Sequence, residues 1–214
     1  MFSDDHGLTW TSGSLAQTAV GGVNANEAEI VETVTGDVLI NARQNAGTTR
    51  QMFRSTDGGS TWSQAFTGPS PVTTVDGSMI RFSAMRDGDD RDRILFSAPT
   101  GSTIGTGNSR TNLTVWTSYD EGRSFINPVQ IVNGFSAYSV LAKQADGRIG
   151  ALYEATGTML ISYASFGLET LEPQAHPREL THYDGFGNTI DRTAGGVGWS
   201  GEWTGTGTIT TATA

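Results

Sequence analysis

Cysteine and long apolar runs are both absent from this chain of 214 residues. Without cysteine, neither a disulfide framework nor a thiolate metal site can form. Because no run of about 18 apolar residues occurs, we expect no transmembrane helix. The first residues, Met1 to Asp5, lead directly into a turn motif, so we also expect no signal peptide in this stretch.

Positive charge is scarce, and lysine is the scarcest of the charged residues. The formal net charge is −9, and Lys143 is the sole lysine among 13 basic residues. An acidic chain disfavours nucleic acid as a partner, because the phosphate backbone repels it. Arginine binds carboxylates through a planar fork, which lysine lacks. A compositional bias of the lineage would explain the same ratio.

The sequence has little that could hold a metal or a cofactor. Its three histidines, His6, His176 and His182, lack metal-ligand spacing. The carboxylate-rich stretch 87–92 lacks the glycine and the terminal glutamate of an EF-hand loop. We interpret this stretch as a solvated turn, with a calcium-binding turn as the alternative, and we predict neither a metal site nor a cofactor.

Helical periodicity is hard to find, whereas glycine is abundant at 28 residues. Excess glycine without a collagen repeat is typical of many tight turns, so we predict an all-β fold. Residues 30–34 and 38–40 flank one hairpin turn, and residues 138–142 and 149–153 flank another at Asp146-Gly147. Asp76-Gly77 predicts a further turn. Within 113–117, alternate positions are expected to point outward.

An eight-residue box of the form S-x-D-x-G-x-[ST]-[WF] occurs three times, beginning at residues 3, 55 and 118. In a hairpin turn the aspartate accepts hydrogen bonds from backbone amides, and the glycine takes the positive-φ position. We therefore predict structural roles for Asp5, Asp57 and Asp120, with the aromatic residue packed between sheets. Recurrence at this interval is typical of the blades of a propeller.

The boxes and five further motifs resemble the bacterial sialidases (exo-α-neuraminidases), which have six-bladed β-propellers. The resemblance covers about residues 1–171. The motifs are Asn26-Glu27, Asn41-Ala42-Arg43, Ser109-Arg110, Ala137-Tyr138-Ser139 and Leu152-Tyr153-Glu154. The resemblance implies an all-β, partial six-bladed β-propeller with box turns, of which about four blades are present.

The resemblance also implies a role for each motif residue. Arg43 and Arg110 match the second and third of three arginines that clamp the carboxylate of sialic acid, as suits a guanidinium fork. Tyr138 matches the nucleophile, and Glu27 matches the carboxylate that takes its proton. A neutral phenol suits an anomeric carbon that bears a carboxylate, because an anionic nucleophile would be repelled. Glu154 matches the carboxylate that orients the first clamp arginine.

The chain departs from the family pattern at two positions. In the family, the first clamp arginine and an aspartate acid/base precede the first box, and no residue here matches them. We therefore expect an internal fragment of a longer protein that is inactive, or nearly so, by itself. We expect a propeller portion at 1–171, a linker at 172–183, and the start of a second β module or a disordered tail at 184–214.

The leading hypothesis is a retaining exo-α-sialidase that acts on sialic-acid-bearing glycans. A trans-sialidase would use the same residues. The alternative is a non-catalytic propeller that acts as a sugar-binding or protein-interaction scaffold, in which Glu27, Arg43, Arg110 and Tyr138 would not converge. The resemblance further implies an exported protein, whether secreted, periplasmic or at the cell surface, and it leaves the oligomeric state open.

Overall fold

The computed structural model describes residues 1–14, 16, 25–63, 65–101, 109–156 and 160–172. All of them belong to one unit, Met1–Glu172. Apart from Glu172, the predicted linker and the predicted C-terminal module lie outside the described residues. No helix in the described part of the chain is long and apolar enough to cross a membrane.

The described residues form three antiparallel sheets, in each of which consecutive strands are neighbours. The first sheet contains β1 (Ala25–Glu32), β2 (Val38–Gln44), β3 (Gln51–Ser55) and β4 (Phe66–Thr67). The second contains β5 (Ser78–Ser83), β6 (Arg93–Pro99), β7 (Leu113–Ser118) and β8 (Ile126–Gln130). The third contains β9 (Ser139–Lys143), β10 (Ile149–Ala155) and β11 (Leu160–Phe166). A 3₁₀ turn (Met85–Asp87) and a short helix, α1 (Leu168–Leu171), complete the elements.

The two predicted hairpins are confirmed, and each turns where the sequence places a glycine. β1 pairs with β2 around Gly36, which has φ of 85°. β9 pairs with β10 around Gly147, which has φ of 83°. Both values lie in the left-handed region that glycine tolerates at no steric cost. The sequence pattern therefore fixes the register of these two strand pairs.

The second sheet lies between two hydrophobic cores. One core joins it to the first sheet through Leu39, Met52, Phe96 and Trp116, and the other joins it to the third sheet through Leu95, Leu141 and Ile149. The first strand of each sheet lies beside the first strand of the next, since β5 contacts both β1 and β9. This arrangement confirms the all-β, propeller-type fold, while the predicted number of blades stays a prediction.

Burial on both faces corrects one detail of the sequence interpretation. Every residue of β7 is buried, including those expected to point outward. β6 is likewise buried along its whole length. A strand that is covered on both sides has no solvent face. The alternating residues at 113–117 therefore do not divide into buried and exposed positions.

The three boxes form the predicted turns. In the second box, Asp57 accepts hydrogen bonds from the amide of Thr61 at 2.8 Å and from its hydroxyl at 2.6 Å. Ser55 donates to Asp57 at 2.7 Å and accepts from the amide of Gly59 at 2.8 Å. The hydrogen bond from the threonine hydroxyl is the largest of the effects that lower the pKa of Asp57 to about 2.

The aromatic residues of the boxes differ in environment. Phe125 packs against the core between the first and second sheets, as predicted. Trp10 is instead 61 % exposed and donates from its indole nitrogen to the carbonyl of Gly7 at 3.1 Å. The prediction of packing between sheets is therefore wrong for the first box, where the indole covers its own turn.

Candidate active site

The antiparallel connections bring the motif residues to one edge of the three sheets. In such a meander, the first strand begins, the second ends and the third begins at the same edge. Glu27 lies near the start of β1, Arg43 near the end of β2, and Glu154 near the end of β10. Arg110 and Tyr138 precede β7 and β9. The second and third boxes follow β3 and β7, so they lie at the opposite edge.

Tyr138, Glu27 and Arg43 form a hydrogen-bonded cluster. The phenol of Tyr138 donates to Glu27 Oε1 at 2.7 Å. Arg43 Nη1 donates to Glu27 Oε2 at 2.5 Å and to the phenol oxygen at 3.4 Å. Each oxygen of the carboxylate thus has its own donor, and the three groups come from the first and third sheets. Charge-assisted pairs of this kind are among the stronger hydrogen bonds in proteins.

The cluster fixes the protonation state of its members. Burial raises the pKa of Glu27, but hydrogen bonds from Arg43 and Tyr138 outweigh it, so the pKa lies below its usual value. The pKa of Tyr138 is raised, chiefly by its hydrogen bond to Glu27 and then by burial. At neutral pH the cluster therefore contains a carboxylate beside a neutral phenol.

Arg110 approaches the same tyrosine from the second sheet. Its guanidinium carbon lies 5.3 Å from the centroid of the Tyr138 ring, within the range of a cation–π interaction. Its carbonyl accepts a hydrogen bond from the amide of Ser136 at 2.8 Å, which ties Arg110 to the segment that leads into Tyr138. Two guanidinium groups therefore lie next to the phenol.

Glu154 holds the backbone of Tyr138. The Glu154 amide donates to the Tyr138 carbonyl at 3.0 Å, and the Tyr138 amide donates to Glu154 Oε2 at 3.3 Å. The amide of Ala137 donates to the Glu154 carbonyl at 3.0 Å. These contacts position the tyrosine from β10. The expected role of Glu154 toward a further arginine stays a prediction.

The sequence predicts no functional role for two residues near the cluster. Arg50 is 1 % exposed. Its charge helps to lower the pKa of Glu27, and the charge of Arg43 adds to the burial that lowers the pKa of Arg50. Asp76, interpreted from the sequence as a turn residue, is half-buried; burial raises its pKa, and the charge of Arg50 opposes that rise. Burial of a polar residue depends on distant strands, so no local signal could have found either residue.

Within the described residues, no group of three or more His, Cys, Asp or Glu side chains is placed to hold a metal ion. A phenol that donates to a carboxylate can lose its proton as it attacks an electrophile. Guanidinium groups beside it can bind an anionic substrate.

A family model for the BNR repeat-like domain matches residues 1–151. The chain is 36 % identical over 161 residues to a protein named "Sialidase" from Vibrio cholerae serotype O1, with 65 % of this chain and 20 % of that relative covered. It is 34 % identical over 175 residues to a "Sialidase" from Micromonospora viridifaciens, with 80 % of this chain and 25 % of the relative covered. The chain thus spans about a fifth to a quarter of these relatives.

The solved structure of an intramolecular trans-sialidase from Ruminococcus gnavus, in complex with oseltamivir carboxylate, has a similar fold. It superposes with a TM-score of 0.61 at 29 % sequence identity. The match covers 79 % of this chain and 37 % of that chain. The family model, over residues 1–151, matches the part of the chain that contains Glu27, Arg43, Arg110 and Tyr138.

Proposed function

The chain belongs to the BNR repeat-like family, and from that premise we propose that Met1–Glu172 carries part of a sialidase active site. The proposed reaction is the retaining removal of terminal sialic acid from glycans, with Tyr138 as the nucleophile. The names of the sequence relatives support the substrate class. The finer assignments rest on the cluster around Tyr138.

The observation that carries the proposal is the hydrogen bond of 2.7 Å from the Tyr138 phenol to Glu27. In the first step the phenol oxygen bonds to the anomeric carbon and the phenol proton passes to Glu27, while the glycosidic bond breaks and the leaving oxygen takes up a proton from solvent. In the second step water bonds to the anomeric carbon and releases a proton to solvent, while the bond from the sugar to the tyrosine breaks and Glu27 returns its proton to the phenolate. Two displacements on one carbon retain its configuration.

A neutral nucleophile suits a substrate whose anomeric carbon bears a carboxylate, and the raised pKa of Tyr138 keeps the phenol protonated until it attacks. Arg43 and Arg110 would bind the carboxylate of the sugar.

A transferase would use the same first step. The covalent intermediate can be attacked by water or by a hydroxyl group of a sugar, and the residues of the cluster serve both outcomes. A non-catalytic scaffold has less support, because that hypothesis expects the four side chains to be scattered, whereas they lie within contact distance of Tyr138. The proposal also implies an exported protein, since sialic-acid-bearing glycans are the substrates.

The test compares Tyr138→Phe with Tyr163→Phe, in which a tyrosine that is 59 % exposed on the third sheet loses the same oxygen. Hydrolysis of an aryl sialoside is measured with the full-length product of the gene that encodes this chain. We expect Tyr138→Phe to lose at least ~10²-fold in kcat, and Tyr163→Phe to keep the original rate.

A trapping experiment tests the covalent step separately. The 2,3-difluoro analogue of sialic acid should form an adduct on the peptide that contains Tyr138, detected by mass spectrometry, and no adduct should form in Tyr138→Phe. Full hydrolysis by Tyr138→Phe, or an adduct on a different residue, would overturn the assignment of the nucleophile. Binding of sialic acid without any turnover would favour the scaffold.

A further inference from the structure

Arg50 lies between β2 and β3, beneath the edge where the cluster sits, and is almost fully buried at 1 % exposure. Its Nε donates to Asn41 Oδ1 at 2.6 Å and its Nη2 to the Asn41 carbonyl at 3.3 Å. Its Nη1 donates to the carbonyl of Val75 at 2.9 Å. One guanidinium thus joins β2 of the first sheet to the segment that leads into β5 of the second.

The guanidinium also packs against the second sheet. Its central carbon lies 5.3 Å from the centroid of the Phe96 ring on β6. The planar fork therefore contacts two sheets at once, through hydrogen bonds at its edge and an aromatic ring at its face. An ammonium group cannot make this combination of contacts.

Arg50 forms no ion pair within the described residues, although it is a buried cation. Burial lowers its pKa to about 10, so it remains charged at neutral pH. Three carboxylates feel this charge: Glu27, Glu29 and Asp76. An isolated buried charge is costly. The charge of Arg50 favours the ionised form of each of these three carboxylates.

We propose that Arg50 is a positioning residue of the active site, which fixes the end of β2 against the second sheet and places a buried positive charge near Glu27. Asn41 and Arg43 lie two residues apart on β2, so they share a face of that strand. A shift of Asn41 would therefore move Arg43, and with it Glu27 and the phenol proton. The expected effect of Arg50 on catalysis rests on the proposed function. Its expected effect on the pKa of Glu27 does not.

Arg93 provides a matched control. It is also buried, at 2 % exposure, and is the first residue of β6 in the second sheet. It pairs with Asp90 at 2.7 Å and with Glu172 at 2.7 Å. Because β6 begins at the edge opposite the cluster, loss of Arg93 removes a buried arginine without touching the site. A purely structural role for Arg50 would make the two arginines equivalent.

The first experiment does not depend on enzymatic activity. Glu27 is titrated by carboxyl ¹³C NMR in the 214-residue chain, and its signal is assigned with the Glu27→Gln variant. The titration compares the wild type with Arg50→Met, Arg50→Lys and Arg93→Met. Arg50→Met should raise the pKa of Glu27, because a cation that favours the carboxylate is gone. Arg50→Lys should raise it less than Arg50→Met does, since the charge remains. Arg93→Met should leave it unchanged.

The second experiment measures kcat and KM for an aryl sialoside in the full-length gene product. Arg50→Lys should lower kcat about tenfold or more, because a point charge cannot join Asn41 to Val75 as the fork does, whereas Arg93→Lys should leave kcat unchanged. Circular dichroism checks folding. If Arg50→Met does not fold, the Arg50→Lys variant decides: wild-type kcat in that variant overturns the inference.

The two experiments separate this inference from the proposed function. An unchanged Glu27 titration in a folded Arg50→Met variant overturns the electrostatic role of Arg50. If the pKa of Glu27 shifts in Arg50→Met but the full-length gene product hydrolyses no sialoside, the role of Arg50 is supported and only the proposed reaction is contradicted.

Discussion

The proton between Tyr138 and Glu27 belongs to the phenol because the surroundings move the two pKa values apart. The donated hydrogen bond raises the pKa of Tyr138. Burial raises that of Glu27 as well, but the hydrogen bonds from Arg43 and Tyr138 outweigh burial and leave it lowered. As the phenol attacks, it becomes more acidic, and the carboxylate 2.7 Å away is the acceptor in place. The pair thus has, before any substrate binds, the protonation states that the proposed roles of base and nucleophile require.

Replacing Glu27 with glutamine should remove the base while keeping the shape of the side chain. We expect kcat to fall by about 10²–10⁴-fold, the usual contribution of a positioned acid or base. Because the pKa of Glu27 is lowered, the wild type should keep its kcat/KM as the pH falls to the ordinary carboxylate range, and lose it only below that value. This acid limb should be absent in Glu27→Gln.

Glu32→Gln is the control for that experiment, since Glu32 lies on the same strand with a side chain that is 62 % exposed. It should keep both the rate and the acid limb of kcat/KM. If Glu27→Gln retained the acid limb, a different group would be the base. Hydrolysis of an aryl sialoside by the full-length gene product between pH 3 and pH 8 gives both profiles.

Sequence reasoning proposed reactive residues for the site, and these stay predictions, but it did not point to the buried residues near them. Tyr138 and Glu27 could be named because each sits in a motif with a family resemblance. Arg50 and Asp76 could not, because what distinguishes them is burial between two sheets, and residues far apart in the sequence create that burial. The hydrogen bond from Arg50 to Val75 joins positions that no local pattern connects.

At the scale of the element, the third box does more than close a hairpin. Glu121, inside this box, accepts a hydrogen bond from the amide of Val34 at 2.8 Å and pairs with Arg81 of β5. A Cβ built on Gly122 would lie 2.1 Å from Leu39 Cδ2, on β2 of the first sheet. The box therefore fastens the second sheet to the first, at the edge opposite the cluster.

Gly122→Ala should test this contact. The methyl group would collide with Leu39 and also require an alanine at φ of 76°. Overpacking of a core costs about 1–3 kcal/mol, and the left-handed backbone adds about 1–2 kcal/mol for a residue with a Cβ. We expect the free energy of unfolding, measured by urea denaturation, to fall by the sum of these two effects.

Gly36→Ala separates the two contributions, because Gly36 has φ of 85° but no atom within 4 Å of the added Cβ. It should lose only the backbone contribution. Equal losses in the two variants would mean that the third box does not press on Leu39. The sequence predicts the turn within each box, but not this docking, because the partner residue lies 83 positions away along the chain.

At the scale of the whole molecule, the second sheet is the centre of the described structure. Its two faces are covered by the first and third sheets, which bring Glu27 and Tyr138 to the same edge. Composition predicts an all-β fold and the boxes predict blades, because both are local signals. The side chains that fill each core could not be paired from the sequence, since β6 and β7 are buried on both faces and show no alternation.

The groups around Tyr138 indicate how much sialoside cleavage to expect from the 214-residue chain alone. In the described residues, the side chains that hydrogen-bond to its phenol are Glu27 and Arg43, a carboxylate and a cation. The sequence resemblance implies an aspartate that protonates the leaving group, and the expectation that no residue of this chain matches it stays a prediction. Without such an acid, cleavage depends on how well the aglycone leaves as an anion, and general acid assistance is worth about 10²–10⁴-fold.

We therefore expect the chain alone to leave 3′-sialyllactose uncleaved, because a sugar alkoxide is a poor leaving group, and to hydrolyse an activated aryl sialoside only in trace amounts. The full-length gene product, assayed beside it, should cleave both. Product release is followed by fluorescence for the aryl sialoside and by chromatography for the sialyllactose. Cleavage of sialyllactose by the chain alone would mean that a residue within it supplies the proton, and the search for that acid would begin with Asp76, whose pKa burial already raises.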